Sequence, residues 1–322
     1  MRIAPMLLLL AGLAGVPASA STPAFTVVDL ATQYAAFYDA TLALDPGARV
    51  EAFKAHFGPR FPGFYAPERI SQFTTLERYD AQIARSFATF ADLRPRFERT
   101  ARSFVAMLEP ARDDFVRHFP DLAPIGEIYL IHSMGEMDGG IRTIGGRRHL
   151  VFGADVMARL HPPGEERPFF QHELFHVYHG QFFADCDAVW CALWTEGLAV
   201  YVSEQLNPGV TDAQLMLEVP RPIRPEVDAK RQEAVCAVRA RLDSAERGDY
   251  APLFMGQASL DGLPPRFAYY VGYLVAREAA RTRSLRELAQ LRTADARPIV
   301  DAALAALATC APAGTAPTPA PR

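Results

Sequence analysis

The chain has 322 residues, half of them hydrophobic, with a net charge of −4 and an isoelectric point near 6.1. That length fills one large core or two smaller lobes. The acidic balance argues against nucleic acid as a partner, since a nucleic-acid binder carries a basic patch or stripe, and 22% charged with 11% aromatic residues is the composition of a folded chain, not a disordered one.

The first twenty residues are predicted to be a secretory signal peptide. Arg2 gives a positive start, Met6–Ala14 an apolar run, and Ala18-Ser19-Ala20 a small-residue cleavage pattern, with the cut after Ala20. The run is shorter than the ~20 residues that cross a bilayer. No later segment is apolar enough to span, so the expected mature protein is soluble and exported, either periplasmic or secreted. The four cysteines would then sit where disulfides persist. Cys186 and Cys191 form the obvious local pair, which leaves Cys236 for Cys310. Cys186 and Cys191 also lack the C-x-x-C spacing of a thiolate metal site.

Residues 21–120 are predicted to be an N-terminal helical region. Apolar residues recur at helical spacing over Val27–Tyr38, Val50–Phe57, Tyr79–Phe90 and Arg94–Phe119, and Pro110 is placed to kink or split the last of these. Asp45-Pro46-Gly47 marks a turn, and the Pro and Gly between Phe57 and Pro67 mark a loop. From Ile125 the texture changes. Ile128–His132 and His149–Phe152 are strand candidates joined by glycine-rich turns, which suggests a hairpin or small antiparallel sheet. Helical patterning then resumes to about Leu307. The Ala/Pro/Thr-rich tail 311–322 is expected to be disordered.

The chemistry is concentrated at His172-Glu173-Leu174-Phe175-His176, an H-E-x-x-H motif in a helical context opened by Pro168. Residues four apart share a helix face, so the two imidazoles can grip one ion. Glu173 points roughly 100° away, where it can take a proton from a metal-bound water without becoming a ligand. A catalytic site needs a third protein ligand and an open position. Glu196, near the start of the next helical segment Trp194–Glu204, completes a His2Glu set there; Gly197 beside it would let two helices approach closely. His179, Asp185, Asp187 and Glu204 are the rival third ligands. A plain helix-N-terminal role for Glu196, favoured by the helix dipole, is the non-metal alternative.

His172–His176 followed by Trp194-Thr-Glu-Gly-Leu-Ala-Val-Tyr201 resembles the gluzincin zinc metallopeptidases, which pair H-E-x-x-H with a glutamate in an E-G-x-A setting about twenty residues on. It is closest in likeness to a bacterial family of predicted zinc-dependent proteases with an otherwise uncharacterised domain. That likeness spans residues 120–285 and extends to the glycine-rich strand region and to Phe267–Val275. It implies an α+β, mostly helical, zincin-like fold, with the catalytic domain at 121–310, one Zn2+ ion and a peptide or protein substrate. The sequence has no Gly-Ala-Met-Glu-Asn aminopeptidase signature, and no aspartate follows Glu196 one turn on. Tyr269, Tyr270, Tyr273 and His132 are the candidate donors to the developing oxyanion. The resemblance favours Tyr270, beside Glu173, as the second catalytic residue. His149–Phe152 is expected to bind extended substrate by its backbone, and Gly135–Gly146 is either a mobile flap or an ordinary hairpin loop. The functional expectation is an exported zinc metallopeptidase. A zinc hydrolase of a non-peptide amide or ester, and a non-catalytic metal-binding envelope protein, are the alternatives.

Overall fold

A computed structural model describes residues 25–71, 74–184, 186–257 and 259–310. The segment expected to be a signal peptide, the 311–322 tail and the candidate ligand Asp185 lie outside the described residues. The described residues open with strand β1 (Phe25–Asp29) and five helices: α1 (Leu30–Ala40), α2 (Pro46–Phe57), α3 (Pro62–Tyr65), α4 (Pro67–Ile70) and α5 (Leu76–His118). Strands β2 (Gly126–Ile131), β3 (Ile141–Ile144) and β4 (Arg147–Gly153) follow. Helices α6 (Ala154–Leu160), α7 (Arg167–His179), α8 (Val189–Leu206), α9 (Arg224–Ala229), α10 (Arg231–Arg239), α11 (Arg247–Phe254), α12 (Phe267–Ala279), α13 (Leu285–Ala289) and α14 (Thr293–Leu307) complete the fold. It is an α+β architecture, mostly helical, with one four-stranded sheet.

The segment read as helix from Val27 starts as a strand. Phe25-Thr-Val-Val is β-branched and aromatic, and the helix starts only at Leu30, where the Asp29 side chain accepts the Thr32 N–H at 2.8 Å. The two segments expected over 79–119 are one 43-residue helix, α5. Its internal prolines, Pro95 and Pro110, both lie on the exposed face, so the carbonyls they leave unbonded face water. The 57–67 loop contains the short helix α3, which opens on Pro62.

The sheet order is β1-β2-β4-β3. β1 pairs parallel to β2 and β2 parallel to β4, and only β3 runs antiparallel, against β4. The expected antiparallel pairing of the 128–132 and 149–152 strands is therefore corrected: these two are parallel. The hairpin is β3–β4, turned at Gly145-Gly146, where both residues have positive φ (55° and 78°). β1 carries the sheet across the boundary expected at residue 120, and the buried core runs unbroken through both parts.

The helix pair α7–α8 is wedged between α5 on one side and α12 on the other. A buried polar chain locks it in place: Asn207 donates to Gln171 (2.6 Å), Gln171 donates to Asp114 of α5 (2.9 Å), and Ser203 donates to the Pro168 carbonyl (2.6 Å). At the far side α8 crosses α12 glycine against glycine. A Cβ on Gly197 would lie 2.0 Å from the Gly272 carbonyl carbon, and one on Gly272 would lie 2.3 Å from the Leu193 carbonyl oxygen. The close approach expected of Gly197 is present, and its partner is α12, not α7. Cys186 of the α7–α8 connection bonds to Cys191 in the first turn of α8, and Cys236 of α10 bonds to Cys310 beyond α14.

Candidate metal centre

Pro168 sits in the first turn of α7, where a missing N–H costs nothing. One face of α7 is buried through Phe170, Leu174, Phe175 and Tyr178. The neighbouring face carries His172 and His176 one turn apart. Glu196 lies in the third turn of α8, not near its start as expected, because α8 begins earlier, at Val189. That position removes the helix-dipole explanation for a glutamate here, since the dipole's effect fades beyond the first turn.

His172 Nε2 and His176 Nε2 are 3.0 Å apart. Glu196 Oε2 is 3.4 Å from the first and 3.5 Å from the second. Tetrahedral zinc bonds of about 2.0–2.1 Å place their donor atoms about 3.3 Å apart, so this triangle fits one four-coordinate ion with a face left open. The two facing imidazole nitrogens need a proton or a cation between them. Burial pulls both histidines down. At His172 burial prevails, whereas at His176 the Glu196 carboxylate overrides it and lifts the group to about 9. Glu196 itself is held well below the usual carboxylate range, because the His176 charge and the hydrogen bonds from both imidazoles outweigh the upward push of its burial. Two nitrogens and a carboxylate form the borderline donor set that zinc accepts.

Glu173 is buried, with one carboxylate oxygen, Oε2, that has no hydrogen-bond partner among the described residues. Burial raises it to about 8, helped by the negative charges of Asp138 and Glu196 and opposed by His176. It fits under the glycine-rich segment only because Gly139 has no side chain: a Cβ there would lie 2.9 Å from Glu173 Cγ and 2.7 Å from Phe169. This segment, weighed above as a flap or a hairpin loop, is tied to β4. Gly153 N–H donates to the Asp138 carbonyl (2.8 Å) and Val151 N–H to the Gly140 carbonyl (2.9 Å). Asp155 holds its start by accepting from the backbone of Ser133 (2.6 Å) and Gly135 (2.7 Å).

The three ligand candidates and Glu173 line one cavity of about 750 Å3. Tyr269 lines it too, but Tyr270 does not. Its hydroxyl donates to Asp228 at 3.1 Å, and its ring stacks on Tyr273 behind the site. Tyr273 donates to Glu204 (2.6 Å), which engages both residues away from the His172–His176–Glu196 cluster. His132 is buried against Tyr34, with ring centroids 4.0 Å apart, and is likewise remote. His179 borders the cavity without joining the triangle: its Nδ1–H donates to the Ala289 carbonyl (2.8 Å), and its ring stacks between Phe175 and Phe183. The only group of metal-binding side chains among the described residues is His172, His176 and Glu196, so Asp187 and Glu204 are not in it. Tyr250, Asp138, Arg142, Arg247 and Arg266 also line the cavity and carry no motif by which sequence reasoning could find them. No protein-family model, no curated protein and no solved structure matches the chain.

Proposed function

We propose that the chain is a zinc-dependent hydrolase, specifically a metallopeptidase of zincin-like architecture, with His172, His176 and Glu196 holding the ion. The single observation that carries this reading is a tetrahedron-sized donor triangle beside a buried, unpartnered glutamate in a large cavity. A bound zinc supplies Lewis acidity, which brings the pKa of a water near neutrality and polarises a carbonyl. The chain's own groups do the rest. Glu173, raised by burial, accepts the water's proton and returns it to the departing amine. Tyr269 takes the part given above to Tyr270: its phenol faces the cavity and stays protonated, since burial and the Glu196 charge keep its pKa well above the usual tyrosine range. It is a hydrogen-bond donor to a developing oxyanion. The signal-type N-terminus and the two disulfides support export to the periplasm or beyond.

The test is metal content together with turnover. The purified protein should hold one zinc per chain, and His172→Ala and Glu196→Ala should each lose it. Glu173→Gln should keep the zinc and lose about 10²–10⁴-fold in kcat on peptides. Cleavage of amide or ester probes with no peptide turnover would move the assignment to a non-peptide hydrolase. A wild-type protein that binds no zinc would remove it.

A further inference from the structure

The metal cavity continues past its ligands. A second cavity of about 520 Å3 adjoins it and shares Glu136, Arg142 and Arg247 with it. Its apolar wall comes from Phe64, Ile70, Tyr79 and Met134. Among the described residues its charged groups are three guanidiniums, Arg69, Arg142 and Arg247, against the single carboxylate of Glu136. That carboxylate is already engaged. Arg69 grips both of its oxygens, and Arg142 reaches it with Nη2 at 3.4 Å. Arg247 has no hydrogen-bond, ion-pair or ring partner among the described residues. The formal charge of the described lining residues therefore sums to +2, although Arg142 also acts on Glu173 in the neighbouring cavity.

The position of Arg247 sharpens the point. It is the first residue of α11, where the helix dipole disfavours a cation, and no side chain caps that end. The local fold gains nothing from an arginine there. A guanidinium fork matches a carboxylate in two parallel hydrogen bonds.

We propose that the second cavity is a substrate subsite for a carboxylate, bound by Arg247 with Arg142 on a route leading from the metal. The carboxylate is either an acidic side chain near the scissile bond or the free C-terminus of a peptide. The inference rests on the metallopeptidase reading and deepens it.

The experiment uses zinc-loaded protein and quenched fluorogenic peptides in matched pairs. One set exchanges Glu for Gln at each position flanking the cleaved bond, and another exchanges a C-terminal acid for its amide. One pair should favour the acid by about tenfold or more in kcat/KM, the weight of a charged hydrogen bond. The position of that pair separates side chain from terminus. In Arg247→Gln the ratio should fall towards one, and in Arg247→Lys, which keeps the charge and loses the fork, it should fall part of the way. Equal rates across every pair would overturn the subsite, as would an acid preference that survives both Arg247→Gln and Arg142→Gln. If no peptide is cleaved, the activity assignment fails on its own. Fluorescence anisotropy of the same labelled peptides on zinc-loaded Glu173→Gln then decides the subsite: tighter binding of the acid, abolished by adding Arg247→Gln, supports it, and equal affinity ends it.

Discussion

At the residue scale, the two neighbouring tyrosines of α12 separate catalysis from packing. Tyr269→Phe should leave zinc content intact and lower kcat by about 10²–10³-fold, as loss of an oxyanion donor does. Tyr270→Phe removes a hydroxyl from Asp228, which keeps Arg231 as a partner at 2.7 Å. It should cost about 1 kcal/mol of stability and leave kcat alone; steady-state kinetics with urea titrations on both variants reads the contrast. The reverse pattern would return the donor role to Tyr270. The sequence named His172, His176 and Glu196 as side chains that can converge, and they lie together; H-E-x-x-H sets its two histidines one turn apart, while Glu196 reaches them through the packing of α8. It favoured Tyr270 on the family resemblance alone; adjacent residues differ by about 100°, and only the packing of α12 against α8 sets which of Tyr269 and Tyr270 faces the cavity. A pH prediction also belongs here. Burial lowers His179 to about 4, although its bond to Ala289 pulls the other way. Above the ordinary histidine value of about 6.5, folded and unfolded chains are alike at this residue. Between about 6.5 and 4 only the unfolded chain takes up the proton, so stability falls as the pH drops, and it levels off below. His179→Asn keeps a donor for Ala289 and has no proton to gain. Urea midpoints of the metal-free proteins should therefore fall less steeply for the variant between pH 7 and 4.5, and parallel curves would dismiss the assignment.

At the element scale, the glycine crossing of α8 and α12 sets where Glu196 stands. Gly197 is the residue after Glu196, the proposed third ligand, and its Cα faces Gly272 without any intervening side chain. Gly197→Ala must push the two helices apart, because the atoms in the way are backbone. Overpacking of this kind costs about 1–3 kcal/mol, and here it also displaces the carboxylate from the two imidazoles. The expected result is a lower urea midpoint together with weaker zinc affinity, measured by competition with a chelator. Gly209→Ala, in the turn after α8 with nothing near its Cβ position but a positive φ of 87°, should lose stability and keep its zinc affinity. Equal zinc affinity in both would show that the crossing does not position the ligand. Elements of this kind were only partly legible. The proline signal placed the first turn of α7, whereas Asp45-Pro46-Gly47, read as a turn, is the N-cap and first turn of α2. Periodicity missed β1, because five residues cannot separate a strand from a helix start. It also paired β2 with β4 in the wrong sense, because the sense of a pairing depends on the path between strands, and here β3 is inserted in that path.

At the scale of the whole molecule, the site depends on segments far apart in sequence being held on one frame: α5, the sheet, α7–α8 and α12. Such long-range placement leaves no local trace, which is why Arg142, Arg247 and Tyr250 were invisible until the chain was folded. The cysteines are an exception, since parity and spacing already gave the pairing found. The bond from Cys236 to Cys310 closes a separation of 74 residues, and that from Cys186 to Cys191 closes only 5. If the gain is mainly lost entropy in the unfolded chain, the long bridge contributes about 4.5 kcal/mol and the short one about 2. Replacing Cys236 and Cys310 together by Ala should then lower the melting temperature by roughly 5–10 °C in a chain of this size. Neither cysteine borders the metal cavity, so zinc stoichiometry at 25 °C should be unchanged. The Cys186/Cys191 double variant should melt only a few degrees below wild type, yet it loosens the connection between the two helices that carry the proposed ligands, so any loss of zinc affinity should appear there and not in the 236/310 pair. Calorimetry and metal competition on the two variants read both orders at once. A larger melting shift from the short bridge, or zinc loss confined to the long one, would mean that α10 and α14 hold the metal frame and that the α7–α8 connection does not.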